Sequence, residues 1–200
     1  MASRSRGLLV RFLVFVGFLV PAVIIFYLAF ANRLGAEPAK ALVDLLGETA
    51  LIVLILTLSI TPLRKIKFLP SFVGYRRMLG LYSFFYALLH VLSYGAFLVD
   101  WQNFVEDLYK RPYIVMGVGA FLILLALALT STKHAIRKLG KNWKRLHRMV
   151  YIAAVAIVVH VYWQARADYF EALVFGSIVM ALLLLRLPFF LRKPRNLAVK

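Results

Sequence analysis

Residues 113–130 have the sequence YIVMGVGAFLILLALALT, a run without a charged side chain that is long enough to cross a bilayer as an α-helix. The whole chain is 63% hydrophobic with a mean hydropathy of +0.84, which is far too apolar for a soluble domain. Further apolar segments are predicted as spans at 8–31, 45–63, 79–99, 149–164 and 172–191. The sequence therefore predicts an all-α membrane protein, a six-transmembrane-helix bundle with a single domain over residues 1–200.

The charges on the two sides of residues 113–130 differ in sign. Residues 133–148 are basic, whereas Asp100, Glu106 and Asp107 come before the run. Most of the 25 lysines and arginines lie near the N-terminus, at 64–77, at 133–148 and at the C-terminal end, and these regions contain no acidic residue. Because basic residues concentrate in cytoplasmic loops, the pattern predicts both termini in the cytoplasm. It also accounts for the net charge of +17 without a nucleic-acid partner.

The ligand chemistry open to this chain is narrow because it contains no cysteine. Disulfides, thiolate zinc sites, iron–sulfur clusters and cysteine-attached haem are excluded. Histidine is the obvious remaining soft ligand, and the chain has only 4. They are His90, His134, His147 and His160.

Other patterns in the apolar segments indicate membrane packing. The first segment exceeds the roughly 7–15 residues of a signal-peptide core and is expected to be a retained helix. Residues 117–119 have the sequence GVG inside the fourth segment and are interpreted as a close-packing site. No internal repeat is evident.

His90 and His160 lie at matched depths in two different predicted helices. At 1.5 Å per residue, each lies about 17–20 Å from the cytoplasmic surface. Two imidazoles at one depth are suited to holding a haem iron from opposite faces. Small residues precede each histidine on its helix, at Ser83, Ala87, Ala153 and Ala156. The alternatives are a hydrogen-bonded buried histidine and ordinary helix packing.

His147 lies thirteen residues before His160, about 20 Å away along the helix and close to the cytoplasmic surface. Aiming both histidines at one cleft requires a kink or π-bulge in this helix. One helix would then contribute ligands to two haems, one near each membrane surface. The alternative is that His147 is a surface histidine in a basic loop. His134 is interpreted as a solvated loop residue.

Arg76 and Arg77 precede His90 by fourteen and thirteen residues, at the level where a fourth histidine would complete a second haem site. They are candidates for clamping haem propionates, or a quinone or flavin phosphate. The alternative is an ordinary basic flank of a membrane span.

Several motifs together resemble the MsrQ (YedZ) family of the ferric-reductase-like transmembrane superfamily. They lie at 76–82 (RRMLGLY), 86–90 (YALLH), 110–113 (KRPY), 129–132 (LTST), 139–143, 145–147 (RLH) and Tyr151. The resemblance covers nearly the whole chain and is strongest from Gly74 to Trp163.

The resemblance implies a haem b subunit, with one or two haems, in the bacterial inner membrane. It implies electron flow from the quinone pool to a periplasmic molybdenum-cofactor partner, MsrP, which reduces methionine sulfoxide in oxidised envelope proteins. The family's haem ligands map onto His90, His147 and His160. FMN is also associated with the family, although this chain has no flavin motif. The catalytic centre would lie on the partner, so no catalytic residue is expected here.

The wider superfamily usually has two histidines on the third helix, whereas this chain has Arg76 and Arg77 at the corresponding level. Few residues follow the predicted last helix, so electrons are expected to enter from a quinol or a separate protein. One alternative function is a stand-alone transmembrane ferric reductase. Another is a small transporter without haem. The acidic loop with Asp100, Glu106 and Asp107 is a candidate docking surface for the partner, or simply a solvated loop.

Overall fold

The computed structural model describes residues 2–63, 74–165 and 168–186. Within these ranges the regular secondary structure is α-helical, apart from one short 3₁₀ turn at 74–75. The helices are α1 (Ala2–Phe30), α2 (Pro38–Leu63), α3 (Arg76–Phe97), α4 (Phe104–Lys110), α5 (Pro112–Leu129), α6 (Lys133–Leu139), α7 (Lys141–His147), α8 (Val150–Gln164) and α9 (Phe170–Leu184).

Five of the helical segments are long and apolar enough to cross a membrane: Leu8–Phe30, Pro38–Leu63, Arg76–Phe97, Pro112–Leu129 and Lys141–Gln164. The apolar helix α9 is shorter. Helix α2 begins at Pro38, earlier than the predicted start, because proline is well suited to the first turn of a helix. The short helices α4, α6 and α7 fall in regions that the apolar pattern leaves as loops.

Some sequence-based expectations fall on residues outside the described ranges. The predicted end of the sixth apolar segment, at Leu191, is one of them. The others are basic residues counted in the charge pattern: Arg64, Lys65, Lys67, Arg192, Lys193, Arg195 and Lys200.

Helix α2 occupies the centre of the bundle and contributes to two buried clusters. The first joins α2 to α1 and α3, with Leu46, Tyr82 and Tyr86 in its interior. The second joins α2 to α5, α8 and α9, with Leu54 and Val179. The most extensive helix pairs are α2 with α3 and α5 with α8. The bundle is therefore two helix pairs that meet where α3 packs on α5 and in the second buried cluster, to which α2 contributes.

Helix α1 contains Pro21, which removes one backbone donor from its interior. The hydroxyl of the fully buried Tyr86 bonds to the helix there. It donates to the Phe18 carbonyl at 2.6 Å and accepts from the Ala22 N–H at 3.1 Å. One turn away, Tyr82 donates to the Phe15 carbonyl at 2.7 Å. Two tyrosines of α3 thus attach the proline-containing helix to the rest of the bundle.

Candidate functional site

The rings of His90 on α3 and His160 on α8 lie side by side between the two helix pairs. Their centroids are 6.3 Å apart and their planes are almost perpendicular, at 88°. Both side chains are partly buried. The structure therefore brings together the two histidines that share one depth in the sequence.

A backbone carbonyl of a neighbouring helix fixes each imidazole. Nδ1 of His90 donates to the Val43 carbonyl of α2 at 2.8 Å, and Nδ1 of His160 donates to the Tyr113 carbonyl of α5 at 2.7 Å. A carbonyl oxygen can only accept, so the proton of each neutral ring is on Nδ1. Nε2 of each ring then carries the lone pair that binds a metal.

A glycine of the neighbouring helix faces each ring. It lies four residues after the residue whose carbonyl accepts the hydrogen bond from that ring. A Cβ atom built on Gly47 would lie 2.8 Å from Nδ1 of His90, and one built on Gly117 would lie 2.8 Å from Nδ1 of His160. We call each set of carbonyl, glycine and histidine a histidine cradle. The first cradle is Val43, Gly47 and His90. The second is Tyr113, Gly117 and His160.

The two cradles correspond residue by residue, with each member of the second lying seventy positions after its counterpart. The separation between carbonyl and histidine is 47 residues in both. The expectation of no internal repeat is therefore incomplete. The repeat lies in these few contact residues and in the pairing of α2 with α3 and α5 with α8, because lipid-facing positions tolerate almost any apolar residue.

The geometry of the two rings suits one metal ion between them. With metal–imidazole bonds of about 2 Å on opposite sides of the metal, the ring centres would lie about 6 Å apart. In the described ranges no group of three or more His, Cys, Asp or Glu residues is placed to hold a bare metal ion. Two imidazoles instead suit a metal whose remaining ligands come from a flat macrocycle.

The small residues before each histidine are partly accounted for by helix packing. Ser83 is 1% exposed and donates to the Ala50 carbonyl at 3.1 Å, while Ala153 is fully buried in the second cluster. Ala87 and Ala156, which are nearer the histidines, are only partly buried. Ala87 packs against both buried clusters, so helix packing accounts in part for its small side chain as well.

His147 lies at the other end of the bundle, apart from the histidine pair. Its ring stacks on Trp143, with centroids 4.0 Å apart, and its Nε2 lies 3.2 Å from the Thr130 hydroxyl. Helix α7 ends at His147 and α8 begins at Val150, so this span is interrupted where the sequence required a kink. The interruption aims His147 at Thr130. It does not bring a second histidine of the described residues to it.

Arg76 and Arg77 begin helix α3 at the same end of the bundle. Arg76 is partly buried and Arg77 is exposed, and both lie within electrostatic range of His147. His134 is exposed on α6. The structure therefore groups His147 with the two arginines and leaves His134 apart.

Arg186 is a buried residue that sequence reasoning counted only as part of a basic flank. It is 4% exposed, and its guanidinium donates to the Tyr151 hydroxyl at 2.7 Å and to the Leu58 carbonyl. An arginine inside the apolar stretch LLLLRLPFF was the available signal, because such residues are costly in a membrane.

A polar contact beside the histidine pair was also missed. Nε2 of Gln164, four residues after His160, donates to the Asp44 carboxylate at 3.1 Å. Asp44 adjoins Val43, the carbonyl partner of His90. This bond joins the two helix pairs at the edge of the site, where the Asp44 carboxylate also contributes a negative charge.

The acidic loop expected to be a docking surface contains the short helix α4. Glu106 pairs with Lys110 at 2.6 Å, and hydrogen bonds from the Asn103 side chain and the Gln102 N–H lower the pKa of Asp100. Trp101 and Tyr109 are exposed, while the side chain of Asp107 lies outside what the structure describes.

Comparison with known proteins places the chain in a family. Residues 46–158 match the family model for the ferric reductase like transmembrane component. The "Protein-methionine-sulfoxide reductase heme-binding subunit MsrQ" of Polaromonas naphthalenivorans (strain CJ2) is 39% identical over 191 residues, which cover 92% of this chain and 87% of that protein. The chain belongs to the MsrQ family. The resemblance carried by the sequence motifs is thereby confirmed. No solved structure matches the chain.

The ferric-reductase-like match covers most of both cradles. The ferric-reductase-like region includes Gly47, His90 and Gly117, and it ends two residues before His160. The alignment with the MsrQ protein extends over most of the chain. The family comparison therefore concerns the part of the bundle that builds the site.

Proposed function

We propose that this protein is the haem-binding membrane subunit of a methionine sulfoxide reductase system, and that it holds haem b between His90 and His160. The observation that carries the proposal is the pair of imidazoles 6.3 Å apart, each with Nδ1 bonded to a backbone carbonyl. Support also comes from the MsrQ relative, whose name describes a heme-binding subunit of such a reductase.

The proposal includes six membrane spans, with both termini on the cytoplasmic side of a bacterial inner membrane. Support comes from the five long apolar helices, the shorter α9 and the one-sided distribution of basic residues. In this orientation His90 lies seven residues before the end of α3, or about 10 Å from the periplasmic end of the span. A haem at that depth is well placed to deliver electrons to a periplasmic partner.

When bound, haem supplies a one-electron couple between ferric and ferrous iron. The chain contributes the environment of that couple. The Val43 and Tyr113 carbonyls hold the protons on Nδ1, orient both rings and make Nε2 a stronger donor. The two rings lie partly buried between apolar helices, and Asp44 adds a negative charge at the edge of the site.

Electrons enter, in this proposal, at the cytoplasmic end of the bundle, where His147 lies close to Arg76 and Arg77. The quinone pool is the donor, and the cationic cluster is suited to a haem propionate or the phosphate of FMN. A second haem with His147 as a ligand belongs to the proposal and requires Nε2 of His147 to leave the Thr130 hydroxyl. The acceptor is a molybdenum-cofactor reductase, MsrP, which repairs oxidised methionine in the cell envelope.

The decisive experiment is electron transfer through the purified protein in lipid. Haem should be reduced by quinol and reoxidised only when MsrP and a methionine sulfoxide peptide are both present. Reoxidation by ferric citrate without the partner would instead indicate a stand-alone ferric reductase. A protein that stays without haem when haem is supplied during expression would contradict the whole proposal and favour a transporter.

Replacing His147 by alanine tests the second haem. We expect haem per chain to fall by up to half and reduction by quinol to slow, with the bis-imidazole spectrum of the remaining haem intact. Haem per chain is measured as the pyridine haemochrome. The control is His134→Ala, on the exposed face of α6. Unchanged haem content in His147→Ala would mean that this histidine ligates no haem.

Replacing Asp44 by asparagine tests the charge at the edge of the site. Asparagine keeps an oxygen that can accept from Gln164 but removes the negative charge, which favours ferric iron. We expect the midpoint potential to rise by tens of millivolts in a redox titration. Glu37→Gln is the control, because it removes the same charge from an exposed residue in the α1–α2 loop. An equal rise in both variants would exclude a local effect of Asp44.

A further inference from the structure

In both cradles, the histidine ring lies too close to the neighbouring helix for any residue except glycine at the contact point. In each, an imidazole of one helix lies directly against a glycine of the partner helix and bonds to the carbonyl one turn earlier. The same contact occurs twice, at corresponding positions of α2 and α5. A chance helix contact would not be expected to recur with the same spacing and the same distance.

The space at each glycine is too small for any other residue while the ring stays in place. A Cβ atom would lie 2.8 Å from Nδ1 and about as close to Cε1 of the facing ring, at 3.0 Å for Gly47 and 2.9 Å for Gly117. Real Cβ atoms essentially never approach other atoms so closely. Nδ1 of each ring is already bonded to a carbonyl of the helix that carries the glycine. A larger residue in place of the glycine would therefore force the ring to rotate or to break that hydrogen bond.

We propose that Gly47 and Gly117 are positioning residues that set the orientation and hydrogen bonding of the two haem-binding imidazoles. The inference rests on the proposed haem site between His90 and His160. The two glycines let the rings approach α2 and α5 closely, with planes 88° apart. With haem bound, the relative orientation of the two ligating imidazole planes would set the splitting of the iron d orbitals, so the glycines would act on the electronic state of the haem through the histidines.

The test compares Gly47→Ala and Gly117→Ala with Gly119→Ala in the otherwise unchanged protein. Gly119 is the matched control because it lies on the same helix as Gly117, and its Cβ would meet nothing within 4 Å. Three quantities are measured: haem per chain and its affinity, the electron paramagnetic resonance spectrum of the ferric state, and the midpoint potential. Perpendicular imidazole planes give a highly anisotropic low-spin signal with one very large g value.

We expect the wild type and Gly119→Ala to show this highly anisotropic signal and the same midpoint potential. Each of the other two variants should lose or shift the signal, change the potential and bind haem roughly 10- to 100-fold more weakly, as changes in groups that orient metal ligands do. Added imidazole should restore a low-spin spectrum in these variants, because it replaces a displaced ring. A packing defect would not be repaired by imidazole.

The outcomes separate this inference from the proposed function. A wild-type protein without haem would overturn the proposed function itself. Wild-type haem with an unchanged signal and potential in both Gly47→Ala and Gly117→Ala would overturn only the role of the glycines. The same conclusion would follow if both variants failed to fold while Gly119→Ala folded, because the glycines would then serve helix packing alone.

Discussion

Replacing either His90 or His160 by alanine is expected to remove the haem held between these two residues, so that haem per chain falls by at least half and the reduced spectrum retains at most the second, His147-ligated haem. Each residue would supply one of the two nitrogen ligands of the haem iron, and the rings lie 6.3 Å apart. In the described ranges no group of three or more His, Cys, Asp or Glu residues could replace them. A haem held by one imidazole in a lipid-embedded cleft loses half of its protein ligation. The measurement is the dithionite-reduced minus oxidised spectrum, with haem quantified per chain.

The exposed His134 provides the matched control for both substitutions, because His134→Ala removes an imidazole without touching the bundle interior. Its spectrum should equal that of the wild type. Full haem content in His90→Ala or in His160→Ala would exclude the replaced histidine as a ligand. Elution of each variant as a single species from a sizing column shows that the bundle is folded.

Replacing Tyr86 by phenylalanine is expected to lower the free energy of unfolding by about 1–3 kcal/mol, the usual cost of leaving a buried polar group without a partner. The Tyr86 hydroxyl serves both the Phe18 carbonyl and the Ala22 N–H, next to Pro21 in α1. Phenylalanine keeps the ring and its apolar contacts, so the loss reports on the hydroxyl alone. The measurement is unfolding by denaturing detergent in mixed micelles.

Tyr82→Phe is the control for this prediction. Its hydroxyl donates one hydrogen bond, to the Phe15 carbonyl, from a side chain that is almost as buried. The expected loss is correspondingly smaller. Equal losses in the two variants would mean that the Ala22 N–H donates directly to the Phe18 carbonyl within α1 when the tyrosine hydroxyl is removed.

Much of the fold was predictable because lipid imposes a simple rule on sequence. A span must be apolar over about 20 residues, so segments such as 113–130 are visible by composition alone. The short helices α4, α6 and α7 do not follow this rule. Many of their residues are polar or charged. Helix α6 begins with a local cap, in which the Thr132 hydroxyl accepts from the Ala135 N–H, whereas α7 has no side-chain cap.

The histidine pair was predictable from depth, because two imidazoles at one level of a bundle must lie close together if their helices are neighbours. The partners of the rings were not predictable. Every residue has a backbone carbonyl, so the sequence does not show which one accepts from a histidine. Glycine in a membrane helix usually indicates helix packing. Gly117 and Gly119 look alike in the sequence, yet only Gly117 contacts a histidine. Arg186 was predictable only as a residue that is costly in the membrane, because its partners, the Tyr151 hydroxyl and the Leu58 carbonyl, lie far from it in sequence.

The order in which the cradles are made has a consequence for biosynthesis. The ribosome releases α2 and α3 first, so the cradle of His90 is complete while His160 has not yet been translated. A nascent chain can offer only one imidazole of the His90 and His160 pair until α8 has entered the membrane. Chains that stop before α8 would hold one ligand of the pair, so in the proposed site haem would bind stably between α3 and α8 only after α8 has been made.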